Sequence, residues 1–116
     1  RPRRRRVRVG YVSGTGFQEF TTTALFISAL LARHDPATTA VACYAWMPDD
    51  GSSLRAGIAG ACARFVDLHR ADHSHAAELV NSDGVQVLVD LTGLTLNPRL
   101  ELLALRPAEV QLHWHG

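Results

Sequence analysis

The sequence predicts an α/β domain, a Rossmann-like three-layer α/β/α arrangement around a parallel sheet. Three observations carry this. Apolar, β-branched runs alternate along the chain with segments of helical spacing. The connections between them are short, as in βαβ units. Two runs, "TAVACYAW" at 39–46 and "VLV" at 87–89, are apolar almost throughout, as strands covered on both faces must be.

In order, the alternation of Val7, Val9 and Tyr11 with Arg8 and Gly10 reads as a first strand over 7–12. Thr21, Thr22 and Thr23 offer caps for a helix that runs to about Arg33, with Leu25, Phe26, Ala29 and Leu30 on its apolar face. Pro36 ends it, because the residue before proline avoids the α region. The second strand spans 39–46. A turn at 48–52 leads to Ser52 or Ser53 as the cap of a helix expected to reach about Arg64. "RFVDL" at 64–68 reads as a short third strand, 71–82 as a third helix stopped by Asp83-Gly84, and 85–91 as the clearest strand. Residues 92–97 form a loop. Pro98 suits the start of a short helix through Leu105, Arg106-Pro107 breaks it, and a last strand covers 110–114.

The 116 residues suffice for one domain with one core. No apolar run approaches the ~20 residues of a membrane span, and no apolar segment follows the basic N-terminus as in a secretory signal. A cytoplasmic location, extending to the nucleus, is the expectation, with no membrane partner. Cys43 and Cys62 read as buried thiols in a reducing compartment, with a disulfide as the minor alternative. The net charge of +1 conceals an asymmetry. Every basic residue is arginine, and half of them fall at positions 1, 3, 4, 5, 6 and 8, so residues 1–6 read as a basic tail or linker and 7–116 as the folded unit. No aromatic residue interleaves with these arginines, so a nucleic-acid partner is not expected.

Ligands of parallel sheets sit beyond the carboxyl ends of the strands. Loops 13–20, 47–52 and 92–97 qualify. In the first, Gly14 and Gly16 fit part of a dinucleotide fingerprint, but Glu19 stands where its third glycine belongs and no acid ends the second strand for a ribose. The pair therefore suits a tight turn at a cleft rim. In the third, a buried strand ends in Asp90, followed by Thr92, Gly93 and Thr95. Gly93 permits close backbone approach, and the two hydroxyls can face phosphate or sugar oxygens; equally, Asp90 and Thr92 can cap the turn. His69, His73 and His75 match no zinc spacing and read as a polar helix start, and no metal site is expected. His113 and His115 flank Trp114 and read as an exposed terminal pair.

Five blocks in sequence carry a resemblance: "RVGYVSG" at 8–14 followed by Phe17, "TAVACYAWMPDDGSSLR" at 39–55, "RFVDL" at 64–68, "DGVQVLVDLTGLT" at 83–95 and "ALRPAEVQLHWHG" at 104–116. Together they resemble the catalytic region of the protein O-linked N-acetylglucosamine transferases and their SPINDLY-type relatives. The resemblance implies part of the N-terminal lobe of a GT-B glycosyltransferase, which moves a sugar from a nucleotide donor to Ser or Thr of proteins without a metal or other cofactor. UDP-GlcNAc is the implied donor, with GDP-fucose the other option. The implied partners are acceptor proteins and, within a longer parent chain, a second catalytic lobe and tetratricopeptide repeats. Asp90, Gly93 and Thr95 match family positions.

The chain departs from the family pattern twice. The family usually carries a histidine in the loop after the first strand, where this chain has Gln18-Glu19-Phe20. Its Gly-His-Thr appears here as Gly93-Leu94-Thr95. With those imidazoles absent, a catalytically impaired member acting as a binding or interaction module stands as the alternative function. An unrelated dinucleotide binder is a third reading, opposed by the missing glycine and ribose acid.

Overall fold

A computed structural model describes residues 6–13, 17, 22–91 and 100–113. Strands and helices alternate as β1 (Val7–Ser13), α1 (Thr22–Arg33), β2 (Thr39–Ala45), α2 (Ser53–Ala61), β3 (Arg64–Asp67), α3 (His73–Ser82), β4 (Val87–Asp90), α4 (Leu100–Ala104) and β5 (Val110–His113). The five strands form one sheet in the order β3-β2-β1-β4-β5, every pairing parallel. The expected fold class is the observed one.

The order follows from connection handedness. The chain steps outward from β1 to β2 to β3, then crosses back to lay β4 and β5 on the other side of β1. Right-handed crossovers in opposite directions place helices on opposite faces. Accordingly α1 packs with α2, and α3 with α4. Two cores result. One joins Val12, Tyr44, Leu88, Val80 and Leu102 under α3 and α4. The other joins Tyr11, Cys43, Val89, Ile27 and Ile58 under α1 and α2. Alternate residues of β1 and β2 divide between them, the period-2 signature of strands covered on both faces.

Gly10 lies in β1 where the sheet is crowded. A Cβ there would meet Val85 Cγ1 at 3.0 Å, Leu88 Cδ1 at 3.1 Å and Tyr44 Cε2 at 3.2 Å. Glycine thus lets the Tyr44 ring cross beneath β1. The Tyr44 hydroxyl donates to Asp83 Oδ2 at 2.7 Å, and Arg64 Nε donates to the same oxygen at 2.8 Å. Asp83 therefore ties β2 and β3 to the end of α3. Gly84 follows at φ 71°, the left-handed conformation that ends the helix.

Element ends differ from the sequence expectation by a few residues. Helix α2 stops at Ala61, because Cys62 is already extended at φ −90°, ψ 150°. Helix α3 begins at His73, since Asp72 is the cap and accepts from His75 N at 2.7 Å. Ser52 caps α2 by accepting from Arg55 N at 3.1 Å. Cys62 is half-buried rather than buried. Arg106 adopts φ 52°, a left-handed turn after α4 held by its donation to Glu109 O at 2.8 Å.

Candidate functional site at the carboxyl rim

Strand β1 is the switch point: connections leave it toward β2 on one side and return beside it as β4, and ligands of such sheets sit beyond the carboxyl end of the switch-point strands. The register brings the strand ends level. Val12 pairs with Asp90, Ser13 with Ala45, and Asp90 with His113. The ladder continues past them, with Leu91 N donating to Val12 O at 3.0 Å and Trp46 N to Ser13 O at 3.3 Å. Loops 13–20, 47–52 and 92–97 thus depart from one edge of the sheet. Ser13 and Asp90 are the polar residues that this edge buries on β1 and β4, at 0% and 3% exposure.

Of the sequence-singled residues, Asp90 is placed at this rim. Gly14, Gly16, Thr92, Gly93 and Thr95 lie outside the described residues, as do Trp114 and His115. His69 and His75 are exposed and His73 half-buried at the start of α3. No group of three or more His, Cys, Asp or Glu suited to a metal ion occurs among the described residues.

The sequence reading missed Arg55. In the first turn of α2, it is only 4% exposed. Its Nε lies 3.4 Å from Asp49 Oδ1, its Nη2 3.8 Å from Asp67 Oδ2, and its Nη1 donates to Met47 O at 3.4 Å. The guanidinium stands over the Phe65 ring, 5.2 Å from the centroid, and the ring takes Phe17 edge-on at 5.4 Å and 82°. Phe17 is fully buried. Phe17 is therefore linked, through Phe65 and Arg55, to Met47 and Asp49 after β2. Asp49, Ser52, Arg55, Phe65 and Asp67 line a cavity of about 310 Å³ beside this stack. An arginine following two acids and a cap was the available signal; the aromatic pair comes from residues 48 positions apart in sequence.

The perturbed titrations lie in the core and along the opposite, amino edge. Burial pushes the Tyr11 phenol up to about 12; its oxygen is 2.7 Å from His34 Nε2. Burial and the hydrogen bond to Asp83 push Tyr44 up. The Asp83 carboxylate raises Arg64.

An open, fully parallel sheet with a buried carboxylate at its switch point defines a Rossmann-like α/β half-domain. More specifically, residues 2–116 match the model of Glycosyl transferase family 41, and the chain belongs to that family. It is 36% identical over 112 residues to the UDP-N-acetylglucosamine--peptide N-acetylglucosaminyltransferase of Caenorhabditis elegans, covering 96% of this chain and 10% of that protein. It is 35% identical to a probable UDP-N-acetylglucosamine--peptide N-acetylglucosaminyltransferase SPINDLY of Oryza sativa subsp. japonica, covering 93% of this chain and 12% of the relative. Among solved structures, a mutant O-GlcNAc transferase of Thermobaculum terrenum superposes with a TM-score of 0.88 at 32% identity, over 97% of this chain and 21% of that one. The chain thus spans about a tenth of the curated relatives' length.

Proposed function

We propose that this chain is the first part of the N-terminal catalytic lobe of a protein O-glycosyltransferase that transfers GlcNAc from UDP-GlcNAc to Ser or Thr hydroxyls. In that reaction the acceptor oxygen attacks the anomeric carbon and UDP departs. Residues 7–116 form the half-lobe and 1–6 a basic lead-in. The observation that carries the reading is the family match across residues 2–116, joined to the level carboxyl ends of β1 and β4. Asp90, Thr92, Gly93 and Thr95 on one loop and Gly14 and Gly16 on the other are the proposed sugar- and phosphate-facing residues. No cofactor is required, and the second lobe of a longer parent supplies the rest of the nucleotide site. No helix among the described residues is long and apolar enough to cross a membrane, and we assign the parent to the cytoplasm or nucleus.

The test is a transferase assay on the parent polypeptide with UDP-GlcNAc, GDP-fucose and acceptor protein. Sugar incorporation on Ser or Thr supports the reading and identifies the donor. A folded parent that turns over neither donor rejects it in favour of a binding module, the reading that Gln18-Glu19-Phe20 and Gly93-Leu94-Thr95 motivate.

A further inference from the structure

A second cluster of reactive groups lies at the opposite, amino edge of the sheet, where the glycosyltransferase reading uses nothing. Cys43, in the middle of β2, is fully buried. Cys62 follows the last turn of α2, half-buried, and lines a cavity of about 370 Å³ with Arg6, His34, Thr39 and Ala63. The two Sγ atoms are 2.8 Å apart. Cys62 Sγ also lies 3.1 Å from Ile58 O, to which its thiol donates. Both cysteines are free.

We propose that Cys43 and Cys62 are a peroxide-responsive thiol pair, with Cys62 the attacking sulfur and Cys43 the resolving one. Three features assign the roles. Cys62 opens to a solvent cavity wide enough for a small hydroperoxide, whereas Cys43 has no surface. The hydrogen bond with Cys43 shifts the Cys62 thiol down, while the same bond and burial push Cys43 up. The Arg6 guanidinium, the His34 imidazole and the Tyr11 hydroxyl bonded to it are the titratable and charged groups facing the pair from the tail, α1 and β1.

The chemistry balances with one hydroperoxide. The Cys62 sulfur attacks the terminal peroxide oxygen as its thiol proton is released, the O–O bond breaks, and the leaving alkoxide or hydroxide takes up that proton. Cys62 is then a sulfenic acid, two electrons oxidised. Cys43, deprotonated in the step, attacks the Cys62 sulfur; the S–S bond forms, the S–O bond breaks, and water departs with the Cys43 proton. The sulfurs lie 2.8 Å apart, so the bond forms by an approach of about 0.8 Å. The product fastens the end of α2 to the middle of β2 across 19 positions. Because α2 carries Arg55, the crosslink stiffens the helix that holds the rim loops.

The test exposes the reduced 116-residue chain to stoichiometric hydrogen peroxide, blocks residual thiols with iodoacetamide, and maps the products by mass spectrometry without reduction. The expected result is an intramolecular Cys43–Cys62 peptide, no carbamidomethyl label on either cysteine, and a Tm about 10 °C above the reduced protein, reversed by dithiothreitol. Cys43→Ala should leave a Cys62 sulfenic acid trapped by dimedone. Cys62→Ala should give no dimedone adduct at Cys43. Labelling of both wild-type cysteines after peroxide, a crosslink only between chains, or dimedone trapping at Cys43 in place of Cys62 would each overturn the proposal.

Discussion

Replacing Arg55 by alanine tests the stack that joins two rim loops. The side chain is 4% exposed, so its three methylenes leave a packed setting, at about 0.8 kcal/mol each. The cation–π contact to Phe65 adds about 1 kcal/mol. The pairs with Asp49 and Asp67 add little, because those carboxylates are 65% and 52% exposed and stay hydrated once released. Relief of guanidinium desolvation offsets part of the loss. The net expectation is about 2–3 kcal/mol of destabilisation, or a fall in Tm of about 8–12 °C for a domain of this size. Arg55→Lys keeps the stem and charge but not the planar fork, and should fall by only about 4 °C. Differential scanning fluorimetry measures both, and Trp46, 7% exposed at the base of the loop, reports loop release by a red-shifted emission. An Arg55→Ala protein within about 2 °C of wild type would show that the guanidinium is not seated on Phe65, and the inferred coupling of the loops would fail.

Gly10→Ala should destabilise by about 1–2 kcal/mol in urea unfolding, because its methyl meets a stiff valine, a leucine and a tyrosine ring at once; unchanged stability would mean that the sheet is looser there. Ser52→Ala removes the oxygen that accepts from Arg55 N and should lower stability by about 1 kcal/mol, with Ser52→Asp restoring most of it. Alkaline titration should unfold the chain in a defined window. The Tyr11 pKa is raised on folding from 10.0 to about 12, so its contribution is intact below pH 10 and is lost as pH rises from 10 through about 12. Tyr11→Phe should flatten that slope in circular dichroism, and a wild-type slope in the variant would remove Tyr11 as the cause. On the proposed function, Asp90→Asn in the parent polypeptide should lower kcat/KM for sugar transfer by tenfold or more while leaving Tm within a few degrees; unaltered turnover would take Asp90 out of the proposed site.

The fold was legible in the chain because the period-2 and helical patterns are local and the connections short. Tyr44, Cys43, Val87 and Val89 mark strands covered on both faces through their apolar runs alone. The element ends were less legible: Cys62 leaves α2 in an extended conformation, φ −90°, ψ 150°, with no glycine or proline at that position or just after it to mark the stop. The rim itself was half-readable. Asp90 stood out as an acid ending an apolar strand, and the structure buries it there. Arg55 did not stand out, because an arginine in the first turn after a cap ordinarily projects into solvent. Its burial depends on Phe65 and Asp67 from β3 and on Asp49 from the loop after β2. The disulfide option at Cys43 and Cys62 could not be weighed from spacing, since a separation of 19 residues fits almost any distance in space. Gly14, Gly16, Thr92, Gly93 and Thr95 fall outside the described residues, so the assignment of both loops rests on where Ser13 and Leu91 release them.

The most direct measurement is a crystal structure of the parent polypeptide with UDP-GlcNAc. The account predicts donor density reaching the gap beyond Ser13 and Leu91, with the sugar or diphosphate against the loops that follow β1 and β4. Donor density at the amino edge, beside Arg6, His34 and Cys62, would contradict it.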